Sequence, residues 1–237
     1  RGKNGKRNWY IWSTEQPAGW MRPWGGGRPS SVWHWSHAAG SHFYGAFWSG
    51  MPDLNYKNPE VTREAVAIGR HWLARGAAGF RFDAARYLIE DGPHPAQADT
   101  PATRTWWKEY HRTLGKEFYS VGEVWVNDLT KVASYHEGGG SLRQVFDFSF
   151  YSALIRTLQT GNPDWLRNHI TALKQSGAPL SFFAPFLDNH DQPHGNRRLM
   201  DAISGAGERN SALAKAAACL LLTFSGTPYV YYGTEVG

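Results

Sequence analysis

The chain has almost no cysteine: Cys219 is the single one among 237 residues, so no disulfide can close within it. It lies in AAACLLLTF (216–224), where a free thiol is expected to pack as a small buried hydrophobe. One cysteine says little about compartment. No apolar run reaches the roughly 18 residues that span a bilayer, so no membrane segment is expected. Neither GxGxxG nor a Walker-type loop occurs, which removes the usual nucleotide signatures. Charge of one sign is in modest excess, +5, but the basic residues are scattered. Their densest cluster, RGKNGKR (1–7), is terminal and carries glycine, so it reads as a solvated loop. With no recognised nucleic-acid module, no nucleic-acid partner is expected. The chain opens on arginine and shows no signal peptide, which reads as a processed or partial sequence.

What is present is an ordinary globular balance, 41% hydrophobic and 19% charged, enough for a sizeable core. Aromatics are many, with 12 Trp, 11 Tyr and 12 Phe. Such rings stack on the apolar faces of sugars, although most are expected to be core.

Residues 1–57 have no sustained period and are rich in Gly, Pro, Trp and His, which reads as an irregular, aromatic-packed region or small subdomain. At Asn58-Pro59 the character changes to an N-cap with proline in the first turn. Val61, Ala65, Ile68 and Trp72 then predict one apolar helix face, ending near Gly76. The strand AGFRFD (78–83) follows. Thr100-Pro101 opens a second helix, and EFYSVGEV (117–124) a second strand. QVFDF (144–148), helical stretches over 150–176, SFFAPFLD (181–188), a helix near 208–222 and PYVYY (228–232) continue the alternation. Residues 89–100 and EGGGS (137–141) read as loops. Strands alternating with helices predict a parallel α/β sheet over 58–237, as a barrel or an open doubly wound sheet.

Three acids end predicted strands: Asp83, Glu123 and Asp191. In a barrel, that strand end is where catalytic groups lie. Retaining glycoside chemistry needs one ionised carboxylate as nucleophile and one protonated carboxyl as acid, then base, about 5–5.5 Å apart. Asp83 and Glu123 are one βα unit apart, a spacing that adjacent parallel strands bring together. Arg81, two residues before Asp83, shares its face and is expected to hold it ionised. Trp125 shares the face of Glu123, where desolvation favours the protonated acid. Each acid alone has a plainer reading: Asp83 as a helix N-cap, Glu123 in an arginine pair, His190-Asp191 as a structural hydrogen bond. The spacings of His34, His37 and His42 match no strong ligand signature, and they are expected to be surface, packing or sugar-contact residues.

Taken together, the strings resemble the α-amylase family, glycoside hydrolase family thirteen. GFRFDAARY resembles its nucleophile segment, which implies Asp83 as nucleophile with Arg81 beside it. GEVW resembles the acid/base segment, implying that role for Glu123. FLDNHD resembles the third acidic segment, so His190 and Asp191 would bind sugar hydroxyls at the cleavage subsite. SGTPYVYYGTE (225–235) resembles the segment near the eighth strand, and MPDLNY (51–56) the short marker that closes the inserted B domain. The resemblance implies the C-terminal portion, about strands 4–8, of a (β/α)8 barrel, preceded over 1–57 by the end of a B domain. It implies cleavage of α-1,4-glucosidic bonds in starch, dextrins or maltooligosaccharides, with an exo-acting α-glucosidase, a trehalose-synthase-like transglycosylase or a non-catalytic carbohydrate-binding relative as rivals. No cofactor is needed for the chemistry; a structural calcium at Asp53 is the one metal the family suggests. Arg86 and Tyr87 stand where lysine and histidine are frequent, on the leaving-group side. The family's first segment, on the third strand, has no match here. Oligomeric state is left open.

Overall fold

The computed structural model describes residues 5–24, 32–115, 117–136, 141–191, 198–203 and 209–234. The start of the basic cluster, all but the last residue of EGGGS, and Glu235 lie outside these. The chain divides into two compact units: Arg1–Phe80 with Ala84–Tyr119, and Arg81–Asp83 with Ser120–Gly237.

In the first unit, residues 1–57 carry a small antiparallel sheet ordered β1 (Trp12–Ser13), β3 (Ser41–Tyr44), β2 (Trp33–Ser36). Trp33 pairs with Tyr44 across it. Both are buried with Val32 and Ala46, and Trp20 sets its edge against each ring at 5.3 and 5.1 Å. Helix α1 (Pro59–Ala74) starts where expected, the Asn58 side chain accepting the Glu60 N–H.

The face that α1 buries differs from the one predicted: Val61, Val66 and Gly69 are covered, whereas Ile68 and Trp72 are each 53% exposed. The reason is a partner from another helix. A Cβ on Gly69 would meet the Tyr110 hydroxyl at 2.6 Å, so the missing side chain makes room for that ring. Tyr110 belongs to α2 (Pro101–Leu114), capped by Thr100, and stacks on Trp106 at 4.9 Å. Periodicity gave the single face Val61, Ala65, Ile68 and Trp72, and the glycine turns the buried side away from it.

The second unit holds the parallel pairing of β5 (Tyr119–Gly122), β6 (Gln144–Asp147) and β7 (Phe183–Pro185) in a sheet ordered β4-β5-β6-β7, where β4 is Gly79–Phe82. The Glu123 N–H donates to the Phe82 carbonyl at 2.8 Å, extending the ladder to the strand ends. Expected PYVYY is not a strand but a single parallel bridge, Phe186 with Tyr229. Gly226 sets its approach: with φ +94° and the Phe183 carbonyl 2.0 Å from where a Cβ would sit, only glycine fits. The helical stretch over 150–176 is two helices, α4 (Phe148–Thr160) and α5 (Asp164–Gln175), parted at Gly161 in the left-handed region. Two five-residue helices, α3 (Leu129–Ala133) and α6 (Leu199–Ile203), are too short for a periodic signal.

The core of this unit joins Phe150, Leu154, Leu187 and Leu199 with Ala217 and Leu221 of α7 (Arg209–Thr223). Cys219, expected inside, is exposed. It sits two residues from both Ala217 and Leu221, so it points off the stripe those two bury. Leu222, beside it, is 62% exposed for the same reason.

Candidate active site

Asp83 and Glu123 follow the last residues of neighbouring strands β4 and β5, so one ladder carries both carboxyls to one end of the sheet. The chain turns sharply after Asp83. Ala84 has φ +43°, a left-handed conformation costing alanine about 1–2 kcal/mol, and no helix follows. The N-cap reading of Asp83 therefore fails. The turn leaves the Asp83 side chain 75% exposed, while Glu123 is only 8% exposed.

One guanidinium holds both acids. Arg81 donates from Nη1 to Asp83 Oδ1, and from Nη2 to Glu123 Oε2 at 2.9 Å. Asp83 is also hydrogen-bonded to Glu123. Burial pushes the Asp83 carboxyl up, but the bonds from Arg81 and Glu123, with the charges of Arg81 and His190, outweigh it and hold Asp83 below the ordinary carboxylate range.

His190 reaches this group electrostatically through Asp83 and pairs with Asp191, Nε2 to Oδ2 at 3.1 Å, both half open to solvent. Asp188, which sequence reading passed over, anchors their loop. It is buried, accepting the Leu199 N–H at 2.7 Å on one oxygen and the Thr234 hydroxyl at 2.7 Å on the other. Asp147 was also passed over: at the end of β6 it caps α4 through the Phe150 N–H and meets His169 at 2.9 Å, both fully enclosed. Nothing in the strings separates Asp147 and Asp188 from the acids singled out in the sequence, because they too close an apolar run. The helix beginning straight after Asp147 was the available clue.

A cavity of about 220 Å³ opens beside the group, lined by Arg81, His190, Asn189, Phe146, Tyr229 and Tyr231 among others. A second, of about 20 Å³, adjoins it and is lined by Trp125, Asn127, Tyr151 and Ser152. Phe148, Phe186 and Asn189 line both. Trp125 lies flat on Phe148, 4.6 Å between ring centres and 7° between planes.

The remaining residues singled out in the sequence belong to the first unit. Arg86 makes a bidentate, largely buried pair with Asp99, Nε 2.9 and 3.1 Å from the two oxygens, and Tyr87 sets its edge on Phe47. Both have internal work in holding the loop over 86–99. His34 bonds the Gly45 carbonyl, and His37 and His42 pack on Trp35.

Asp53 takes the Ala46 N–H at 2.7 Å, and burial raises it to about 6. Its neighbour Glu90 is raised to about 8 by burial first, then by Asp53 and Asp91, and its buried Oε1 has no hydrogen-bond partner. Calcium takes six to eight oxygens. Among the described residues no three His, Cys, Asp or Glu side chains are grouped to hold a metal. A raised carboxyl stabilises the fold fully below its unfolded pKa and loses that contribution as pH rises through the folded value. Glu90 should cost stability progressively between pH 4.5 and about 8. Glu90→Gln should match the parent's melting temperature near pH 4.5 and exceed it at pH 8.5 by about 5 °C or more. Equal melting at both pH values would remove Glu90 as the cause.

Strand-end acids bridged by an arginine, on a parallel sheet with helices between, define a two-carboxylate site of (β/α)8 type. The Alpha amylase, catalytic domain family matches the chain over residues 1–237, and the chain belongs to that family. It is 32% identical over 238 residues to Alpha-amylase 3 of Dictyoglomus thermophilum, covering 98% of this chain and 41% of that protein. It is 28% identical over 269 residues to a Probable alpha-glucosidase of Rhizobium meliloti, covering 98% and 46%. Among solved structures, the alpha-amylase from H.orenii superposes with a TM-score of 0.80 at 31% identity, over 99% of this chain and 45% of that one. The chain thus spans less than half the length of these relatives, and its fold is a partial (β/α)8 barrel.

Proposed function

We propose that this chain supplies the acid pair of a retaining glycoside hydrolase acting on α-1,4-glucosidic bonds in starch, dextrins or maltooligosaccharides. One observation carries the reading: a single arginine bridges two strand-end carboxyls, Asp83 held below the ordinary carboxylate range and Glu123 only 8% exposed. Inverting enzymes keep their carboxyls about 6.5–9.5 Å apart, leaving room for a water between them. Two carboxyls held on the two terminal nitrogens of one guanidinium lie close together, which favours retention.

In this reading Asp83 Oδ attacks the anomeric carbon as the bond to the departing oxygen breaks, and the Glu123 proton goes to that oxygen. Glu123, now a carboxylate, takes a proton from water, whose hydroxyl displaces Asp83 and releases the sugar. His190 and Asp191 grip ring hydroxyls.

The test is stereochemical and uses the full-length protein that carries this chain. Proton NMR of maltotriose hydrolysis should show the α-anomer as the first product; β-anomer first would overturn the acid pair as assigned. An α-glucosidase is the nearest second reading, favoured by the Rhizobium meliloti relative. Short dextrins from soluble starch mean internal cleavage, and glucose alone means action from chain ends. A carbohydrate-binding role without hydrolysis is disfavoured, because a binder needs no pair of acids bridged by one arginine.

A further inference from the structure

Asp188 lies midway between Pro185, the last residue of β7, and Asp191, and the chain that departs there comes back to it. Leu199, which opens α6, donates its N–H to Asp188 Oδ1 at 2.7 Å from 11 positions on. The second oxygen takes the Thr234 hydroxyl at 2.7 Å, from 46 positions on. One buried carboxylate thus joins three stretches of chain, with one oxygen for each tie. The same stretches meet again nearby. The Arg198 guanidinium lies over the Tyr231 and Tyr232 rings, 5.3 and 6.0 Å from their centres. Tyr229 donates its N–H to the Pro185 carbonyl at 2.9 Å, so the segment ending at Thr234 is itself fixed to β7. The first turn beyond Asp188 is set locally, the Asn189 side chain accepting the Asp191 N–H at 2.9 Å.

We propose that Asp188 is a positioning residue of the reaction: it clamps the neck of the segment bearing His190 and Asp191, and so fixes where those two stand relative to Asp83. This rests on the hydrolase reading above and adds to it a residue that touches no reacting atom. The position of His190 is felt at Asp83. Burial pushes that carboxyl up, and the bonds from Arg81 and Glu123 with the charges of Arg81 and His190 bring it down. A slipped neck carries the His190 charge away and lets Asp83 rise. Loss of the Asp188 charge by itself acts the other way, since removing a nearby anion lowers a carboxyl. The sign therefore separates the two causes.

The test follows kcat/KM on maltotriose against pH in the full-length protein, where the acid limb reports Asp83 in the free enzyme. Asp188→Ala cuts both ties and should lose about 10- to 100-fold at the optimum, mainly in kcat, as small displacements of reacting groups do. Its acid limb should move up by about half a pH unit. Thr234→Val cuts one tie, keeps the charge, and should change less in the same directions. Asp188→Asn loses the charge but can remake both ties: its amide oxygen accepts from Leu199, and its NH2 donates to the Thr234 hydroxyl. It should regain most of the rate, with a limb no higher than the parent's. A limb that stays or falls in Asp188→Ala overturns the proposal, as does an Asn variant as impaired as the Ala one. Should Asp188→Ala fail to fold, the other two decide: a raised limb in Thr234→Val alone supports the clamp, and equal limbs overturn it. A parent that leaves maltotriose uncut refutes the hydrolase reading, and the clamp falls with it. An active parent whose variants keep the wrong order refutes the clamp alone.

Discussion

Asp83→Ala should lower kcat/KM on maltotriose by about 10⁴-fold or more while leaving the fold intact. The size follows from the role: without the aspartyl oxygen no covalent intermediate forms, and single-residue losses of a nucleophile reach this range. At 1.36 kcal/mol per tenfold, that is about 5.4 kcal/mol of transition-state stabilisation. The intact fold follows from the geometry. The Asp83 side chain is 75% exposed and caps no helix, and Arg81 keeps Glu123 as a partner when Asp83 is truncated. Exposed substitutions of this kind usually change stability by no more than about 0.5 kcal/mol. Steady-state kinetics and a melting curve on one preparation separate the effects. Near-parental turnover would refute the nucleophile assignment, and a collapsed melt would show that Asp83 is structural.

Glu123→Gln should produce a different and more selective failure. Glutamine keeps the shape and can still accept from Arg81 Nη2, so the buried position remains satisfied. It cannot deliver a proton. Turnover of maltooligosaccharides should drop about 10²- to 10⁴-fold, the usual worth of a positioned acid. With α-glucosyl fluoride the first half-reaction needs no acid, so glycosylation of Asp83 continues. Release then stalls, because the same residue is the base that activates water. Intact-protein mass spectrometry should find the variant one glucosyl unit heavier, with the adduct on a peptide containing Asp83. Parental rates on maltotriose, or an adduct on another residue, would remove Glu123 from the role.

Much of this was legible from the chain, for identifiable reasons. Caps such as Asn58 and Thr100 are local, side chain to the next turn, so sequence alone locates the starts of α1 and α2. The Arg81–Asp83 pair is equally local, two residues apart on one strand face. What escaped depends on partners distant in sequence. The buried side of α1 was set by Tyr110, 41 positions beyond Gly69, entering the gap that the glycine leaves. The exposure of Cys219 depends on which side of an apolar helix finds a neighbour, and composition carries no such direction. Asp147 and Asp188 follow apolar runs as Asp83 does, so the shared pattern hid their anchoring work until Phe150, His169, Leu199 and Thr234 were found bonded to them. PYVYY has strand composition but makes one bridge only, since pairing needs an aligned neighbour as well as suitable residues.

The two-handed grip of Arg81 has a consequence for how charge moves during turnover. In the proposed reaction, one aspartate anion, one neutral glutamic acid and one guanidinium would sum to zero beforehand, which suits an uncharged carbohydrate. Once the ester forms, the negative charge has passed from the first acid to the second, and the sum is unchanged. The counter-ion does not travel to meet it, because Nη2 already rests 2.9 Å from the oxygen that becomes anionic. In that proposed cycle one planar cation would balance the charge at both stages.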